Sequence, residues 1–242
     1  FLLPIGKWYL DHRPILGVDF YNMVTYARFF KENFELLPRQ YSPLWYTGYP
    51  IFGIPLFIWY WIVGLIARFF PLLESVKFSM VVSFTLLIAF FYLASHRLSR
   101  NHLLSALSAI LVGYSANMYG SLVWGGSLPY FMNQMFLPLA LWLAISYLDT
   151  GNKRWYWATI FVFGISFLGH PWGSGLFILP MTFLLLLFGA RKKEVSIKKR
   201  LIDALSFFFG GYFFAYRISR GLLTDFIINT FSTLTSKFSS SV

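Results

Sequence analysis

Apolar residues in this chain come in long blocks separated by short polar punctuation, not in the two-residue alternation of strands. Six such blocks, Phe78 to Ser95, His102 to Met118, Tyr130 to Leu148, Trp155 to Gly169, Gly173 to Phe188 and Leu201 to Tyr216, approach the length of about 20 residues that a bilayer-spanning helix requires. They predict six transmembrane helices within 78–216, with Pro138 as a kink in the third. Leu56 to Phe70 is equally apolar, but as a helix it extends only about 22 Å against a hydrocarbon core of about 30 Å. It is therefore expected to lie shallow and not to cross.

Residues 7–77 read differently, and the stretch from Leu16 to Pro55 is the longest that a bilayer core would not accept. Asp19 stands where an N-cap belongs, ahead of a helix predicted from Phe20 to about Leu37, with Pro38 following. Met23, Ala27, Phe30, Phe34 and Leu37 recur at helical spacing, while Arg28, Lys31, Glu32 and Glu35 fall elsewhere on its surface. This is the pattern of an amphipathic helix in the membrane interface. The segment YSPLWYTGYPIFGIP, interrupted by prolines and glycines, is expected to be irregular, with Trp and Tyr at headgroup level.

The expected fold is thus an all-α, polytopic transmembrane helical bundle with amphipathic juxtamembrane helices in its first external loop, forming one domain over 1–242. Composition agrees: 57% of residues are hydrophobic and 12% charged, with mean hydropathy +0.62, outside the range of soluble domains. The chain opens without Met on FLLPIGKWYL and stops soon after an apolar run, which leads us to expect a piece of a longer protein. With no cysteine, disulfides and thiolate metal sites drop out.

A formal net charge of +11 changes the picture only through its distribution. Arg97 with Arg100, Lys153 with Arg154, and the group from Arg191 to Arg200 occupy every second loop, whereas GSLVWGGSLP and HPWG carry no Lys or Arg. The positive-inside rule makes the basic loops cytoplasmic, in the cytoplasmic (plasma) membrane. Nucleic acid is excluded as the reason for the charge, and the bilayer is the partner. Asp19, the GYP segment, the GGSLP loop, His170 and the tail from 217 to 242 then share the external face.

Candidate chemistry is sparse. Asp19 is a helix cap, or a carboxylate placed to take a proton or hold a cation, and the two roles coexist. His170, ahead of Pro171 and Trp172, is an interfacial residue bonded to a helix-end carbonyl, or a base or ligand at the outer boundary. The GSLVWGGSLPYFMNQ stretch offers backbone N–H groups, Ser127, Asn133 and Gln134. Tyr49, Trp124 and Trp172 suit stacking on sugar rings as well as interfacial anchoring. Arg217 and Arg220 suit a lipid phosphate as well as snorkelling. Asp203, at a helix start, is assigned no function. Walker, GxSxG, HExxH and CxxC patterns do not occur in the sequence.

The order of these landmarks resembles the C-type integral-membrane glycosyltransferases that use lipid-phosphate sugar donors, and more narrowly the prokaryotic membrane proteins described as related to 6-pyruvoyl-tetrahydropterin synthase. The resemblance rests on GVDFYNMVTYARFF with Asp19, WYTGYPIFGIPLFIWYW, FYLASHRLSR, VWGGSLP and GHPWG, over residues 15 to 190. It implies an external site transferring sugar from a polyprenyl-phosphate donor to an acceptor, with Asp19 as base or metal contact and His170 supporting it on the metal side. One departure matters: GSLVWGGSLPY lacks the second acid of many such enzymes, which weakens the case for a divalent cation. A different class of protein, a non-catalytic integral membrane subunit that scaffolds a larger complex with other membrane subunits, fits the aromatic content and the missing acid. A transporter ranks last, because the predicted spans carry almost no ionisable residues apart from Asp203.

Overall fold

In a computed structural model, the described residues are 20–32, 41–42, 49–50, 57–115, 128–170, 174, 196 and 198–218. They are helical apart from short turns and one minimal antiparallel strand pair. The helices are α1 (Phe20–Glu32), α2 (Phe57–Ile66), α3 (Leu72–Ser99), α4 (His102–Gly113), α5 (Leu128–Asn133), α6 (Phe136–Thr150) and α7 (Lys153–Gly169). The last is α8 (Lys198–Ile218). Strands β1 (Tyr41–Ser42) and β2 (Tyr49–Pro50) pair Tyr41 with Pro50 and Ser42 with Tyr49, adding a closure to a segment expected to be irregular.

Among the described residues, three helices are long and apolar enough to cross a membrane: α3, the α5–α6 stretch Pro129–Thr150, and α8. The α3 helix has 28 residues, or about 42 Å, more than a hydrocarbon core. It starts six residues before the expected Phe78. Pro71, with φ −56° and ψ 145°, leads into its first turn, where a proline loses no hydrogen bond. Glu74 there complements the helix dipole. The predicted span from His102 to Met118 instead gives a helix of 12 residues ending at Gly113, about 18 Å long. The α2 helix is shorter than its apolar run suggested, at 10 residues and about 15 Å, half a bilayer core. The run from Gly173 to Phe188 lies outside the described residues except for Ser174.

The break between α5 and α6 follows from Pro138. A proline cannot donate to the carbonyl four residues back and its ring crowds it. The Gln134 carbonyl is taken instead by the N–H of Leu137 at 3.3 Å, tightening the turn that separates the two helices.

Packing centres on α3 and α6. The α3 helix lies against α4, α5, α6 and, near its start, α1 and α2, while α6 lies against α7. Phe30, Met80, Phe131, Phe163 and Phe207 are almost fully buried. Rings of Phe84 and Phe131 stack at 6.2 Å, and those of Trp59 and Phe136 at 5.5 Å. Serines back-bond along the buried side of α3: Ser75 to Pro71 O at 2.9 Å, Ser79 to Ser75 O and Ser83 to Ser79 O at 2.8 Å. Each hydroxyl thereby satisfies itself within its own helix and presents a small surface to neighbours.

Glycines set the closest approaches. The α8 helix runs parallel to α7, with Gly211 against Phe163 and Gly164 against Phe214, and Tyr156 donating to Ser206 at 2.7 Å. The amphipathic stripe of α1 is used against α2: Ala27 and Phe30 are buried, Arg28 and Glu32 pair at 2.8 Å in solvent, and Tyr26 meets Tyr60 ring to ring at 5.0 Å.

A Cβ on Gly64 would fall 2.5 Å from Phe30 Cβ, 3.0 Å from Phe30 C and 3.1 Å from Lys31 N. Since backbone cannot step aside as a flexible side chain can, Gly64→Ala is expected to lever α1 off α2 at a cost of about 1–3 kcal/mol. Denaturant unfolding of the solubilised protein would register the loss.

Candidate functional site

Polar groups converge where α5 ends, α7 ends and α2 begins. Asn133, the last residue of α5, is 2% exposed and donates through Nδ2 to Ser166 Oγ at 3.1 Å and to Ser174 Oγ at 3.2 Å. Ser166 and Ser174 hydroxyls are 2.6 Å apart, and Ser174 Oγ donates to the carbonyl of His170 at 2.9 Å. Directionality follows from counting protons: Ser174 spends its own on His170, so Ser166 donates to Ser174 and accepts from Asn133. Both serines are fully buried.

The other side of the Asn133 amide faces Trp59 across Gly169. A Cβ on Gly169 would fall 2.6 Å from Trp59 Nε1 and 2.7 Å from Asn133 Oδ1, so glycine is what admits both groups. These two atoms, a donor and an acceptor, are buried without a hydrogen-bond partner among the described residues. Rotating the amide would set its NH2 against the indole N–H, donor to donor, so the assigned orientation is the favourable one.

His170 terminates α7 with φ −162°, its N–H donating to Ser166 O at 2.9 Å. Its ring is half-buried and meets Tyr130 edge-on at 5.5 Å. Burial holds its pKa below the ordinary imidazole value, because desolvation disfavours the cation.

The remaining sequence candidates are scattered or beyond reach. Asp19, Trp124, Trp172 and Arg220, with Gly125, Gly126 and Ser127 of the GGSLP loop, lie outside the described residues. Tyr49 is described only as a member of β2. Arg217 occupies the last turn of α8, exposed, with its guanidinium 5.1 Å from the ring centre of Phe213. Of the candidates, the structure brings Asn133 and His170 into one neighbourhood.

Sequence reasoning missed Ser166 and Ser174, single hydroxyls inside apolar runs. It also missed Lys77, 1% exposed within α3 and engaged by a partner. Its place at the edge of an apolar run looked like a loop cation, and the extension of α3 back to Leu72 is what encloses it. An ionisable residue inside a membrane helix is a functional marker by default. Among the described residues, no three His, Asp or Glu side chains gather to hold a metal ion. An apolar cavity of about 170 Å³ lies between Ile66, Phe70, Glu74, Ser75 and Phe78.

No family model, curated protein or solved structure matches the chain.

The depressed pKa of His170 carries a sign. An unfolded imidazole takes up its proton near about 6.5, the folded one only at lower pH. Between those points the unfolded state binds the extra proton, so stability falls with falling pH and the contribution vanishes above the unfolded value. Thermal unfolding followed from about pH 8 down to about pH 5 should show a smaller loss in His170→Gln than in the parent chain.

Proposed function

We propose that this chain is a glycosyltransferase-like integral membrane protein, transferring a sugar from a polyprenyl-phosphate donor to an acceptor on the external face of the cytoplasmic membrane. The observation that carries the reading is a convergence. Tyr26 of α1 lies against Tyr60, the adjacent Trp59 turns its Nε1 to Gly169, and His170 comes next. The helix that begins one residue after Asp19 and the end of α7 therefore share a neighbourhood. In this reading Asp19 takes the acceptor's proton, His170 supports it, and α1 and α2 form a juxtamembrane shelf. The shortness of α2 supports such a shelf, since about 15 Å of helix does not traverse a bilayer core.

A second reading, a non-catalytic membrane subunit, is favoured by a different observation. Asn133, Ser166 and Ser174 are closed off and bonded to one another, and α8 turns Phe209, Tyr212, Phe213 and Tyr216 outward at 40% exposure or more. Such a helix suits packing against further membrane subunits. The apolar surfaces support a lipid bilayer as the common environment of both.

Asp19→Asn is expected to reduce sugar transfer from a polyprenyl-phosphate sugar by more than about a hundredfold while leaving thermal unfolding unchanged. Transfer at the parent rate would remove Asp19 from the chemistry, and absence of transfer in the parent chain would favour the subunit reading. Orientation is tested separately. Because the sequence has no cysteine, Lys153→Cys and Arg217→Cys each report one site. In right-side-out vesicles an impermeant maleimide should label Arg217→Cys and spare Lys153→Cys.

A further inference from the structure

The opposite end of the bundle collects charge. Arg97 Nε, at the end of α3, lies 3.0 Å from Asp149 Oδ2, at the end of α6, an ion pair outside hydrogen-bond angles. Tyr147 donates to Asp203 Oδ2 at 3.2 Å, and Tyr156 to Ser206. These contacts bind the α3–α4 turn, the α6–α7 turn and the first turns of α8 into one end.

Arg100, Lys153, Arg154 and Lys198 stand exposed there. Among the described residues, the carboxylates at this end are engaged, Asp149 by Arg97 and Asp203 by Tyr147 with Lys199 nearby. Directly below lies bare apolar surface: Leu103 is 70% exposed, Leu111 71%, Trp157 63% and Ile202 55%. Cations over an apolar skirt match a ligand with an anionic head and a hydrocarbon body. A nucleic acid or an acidic protein would satisfy the cations and leave the skirt in water.

We propose that this end of the protein docks anionic phospholipid headgroups, whose phosphates meet Arg100, Lys153, Arg154 and Lys198 while their acyl chains cover Leu103, Leu111, Trp157 and Ile202. The inference is independent of sugar transfer at the other end. It also explains why like charges accumulate at three adjoining turns: the leaflet supplies the countercharge that the chain does not.

The test uses the full chain in detergent, titrated with phosphatidylglycerol or phosphatidylcholine and read by thermal unfolding. Phosphatidylglycerol is expected to stabilise the protein where phosphatidylcholine does not, and about 0.5 M salt to weaken the effect. Each cation contributes roughly fivefold in apparent affinity. The variant K153Q/R154Q/K198Q, unfolding like the parent in phosphatidylcholine, should therefore bind phosphatidylglycerol roughly a hundredfold more weakly. Should that variant fold poorly, salt titration of the parent chain decides alone. Equal stabilisation by the two lipids, insensitivity to salt, or the same stabilisation by inorganic phosphate or an RNA oligonucleotide would overturn the proposal.

Discussion

Helices surrounded by lipid gain nothing from hiding leucine, since the solvent is as apolar as the side chain. Their association rests on close van der Waals approach and on polar groups that find partners only in one another. This protein's described contacts follow that constraint. Gly64, Gly164, Gly169 and Gly211 mark the points where one helix comes within a methyl group of its neighbour. Hydroxyls on α3 turn back on their own helix, and those of Ser166 and Ser174 turn to Asn133. Burial then follows position: the α5–α6 stretch is 56% buried over its most apolar window and α8 only 22%, a core helix and a peripheral one made from similar residues.

The two ends of the bundle are built on opposite electrostatic plans. At the α5–α7 end, neutral hydrogen-bonding groups are buried beside the half-buried ring of His170, and that burial disfavours the ring's charged form. At the other end, cations are displayed in excess over carboxylates. A desolvated neutral site suits positioning of a lipid-linked substrate, as proposed, or rigid contact with another subunit. The charged end, in the lipid contact proposed above, sets depth in the bilayer. Neither plan requires the other, so a change at one end need not propagate to its opposite.

Much of this architecture was legible as periodicity, because apolar blocks and their punctuation directly state what a helix in lipid must look like. The amphipathic stripe of α1 and the break near Pro138 could be read from local chemistry. Boundaries were less legible where charge and burial disagree. Lys77 and Glu74 looked like loop residues, yet Pro71 starts α3 ahead of them and packing encloses the lysine. The stripe on α1 was read for lipid and is used for α2, since periodicity reveals that a face is buried without naming what covers it. The site was less visible still. His170 and Asn133 stood out, but the serines that join them lie 33 and 41 residues from Asn133, and single serines in apolar runs carry no signature.

The unequal lengths of α3 and α4 have a mechanical effect on their surroundings. As helices, α4 presents an outward leucine face about 18 Å long, whereas α3 extends about 42 Å. A bilayer cannot match both at its resting thickness, so it is pinched beside the short helix and swollen or tilted beside the long one. Around such a pair the lipid would form an asymmetric dent, with headgroups descending toward the flank of the short helix. Membranes that bend and compress easily would accept it at lower elastic cost than stiff, thick ones.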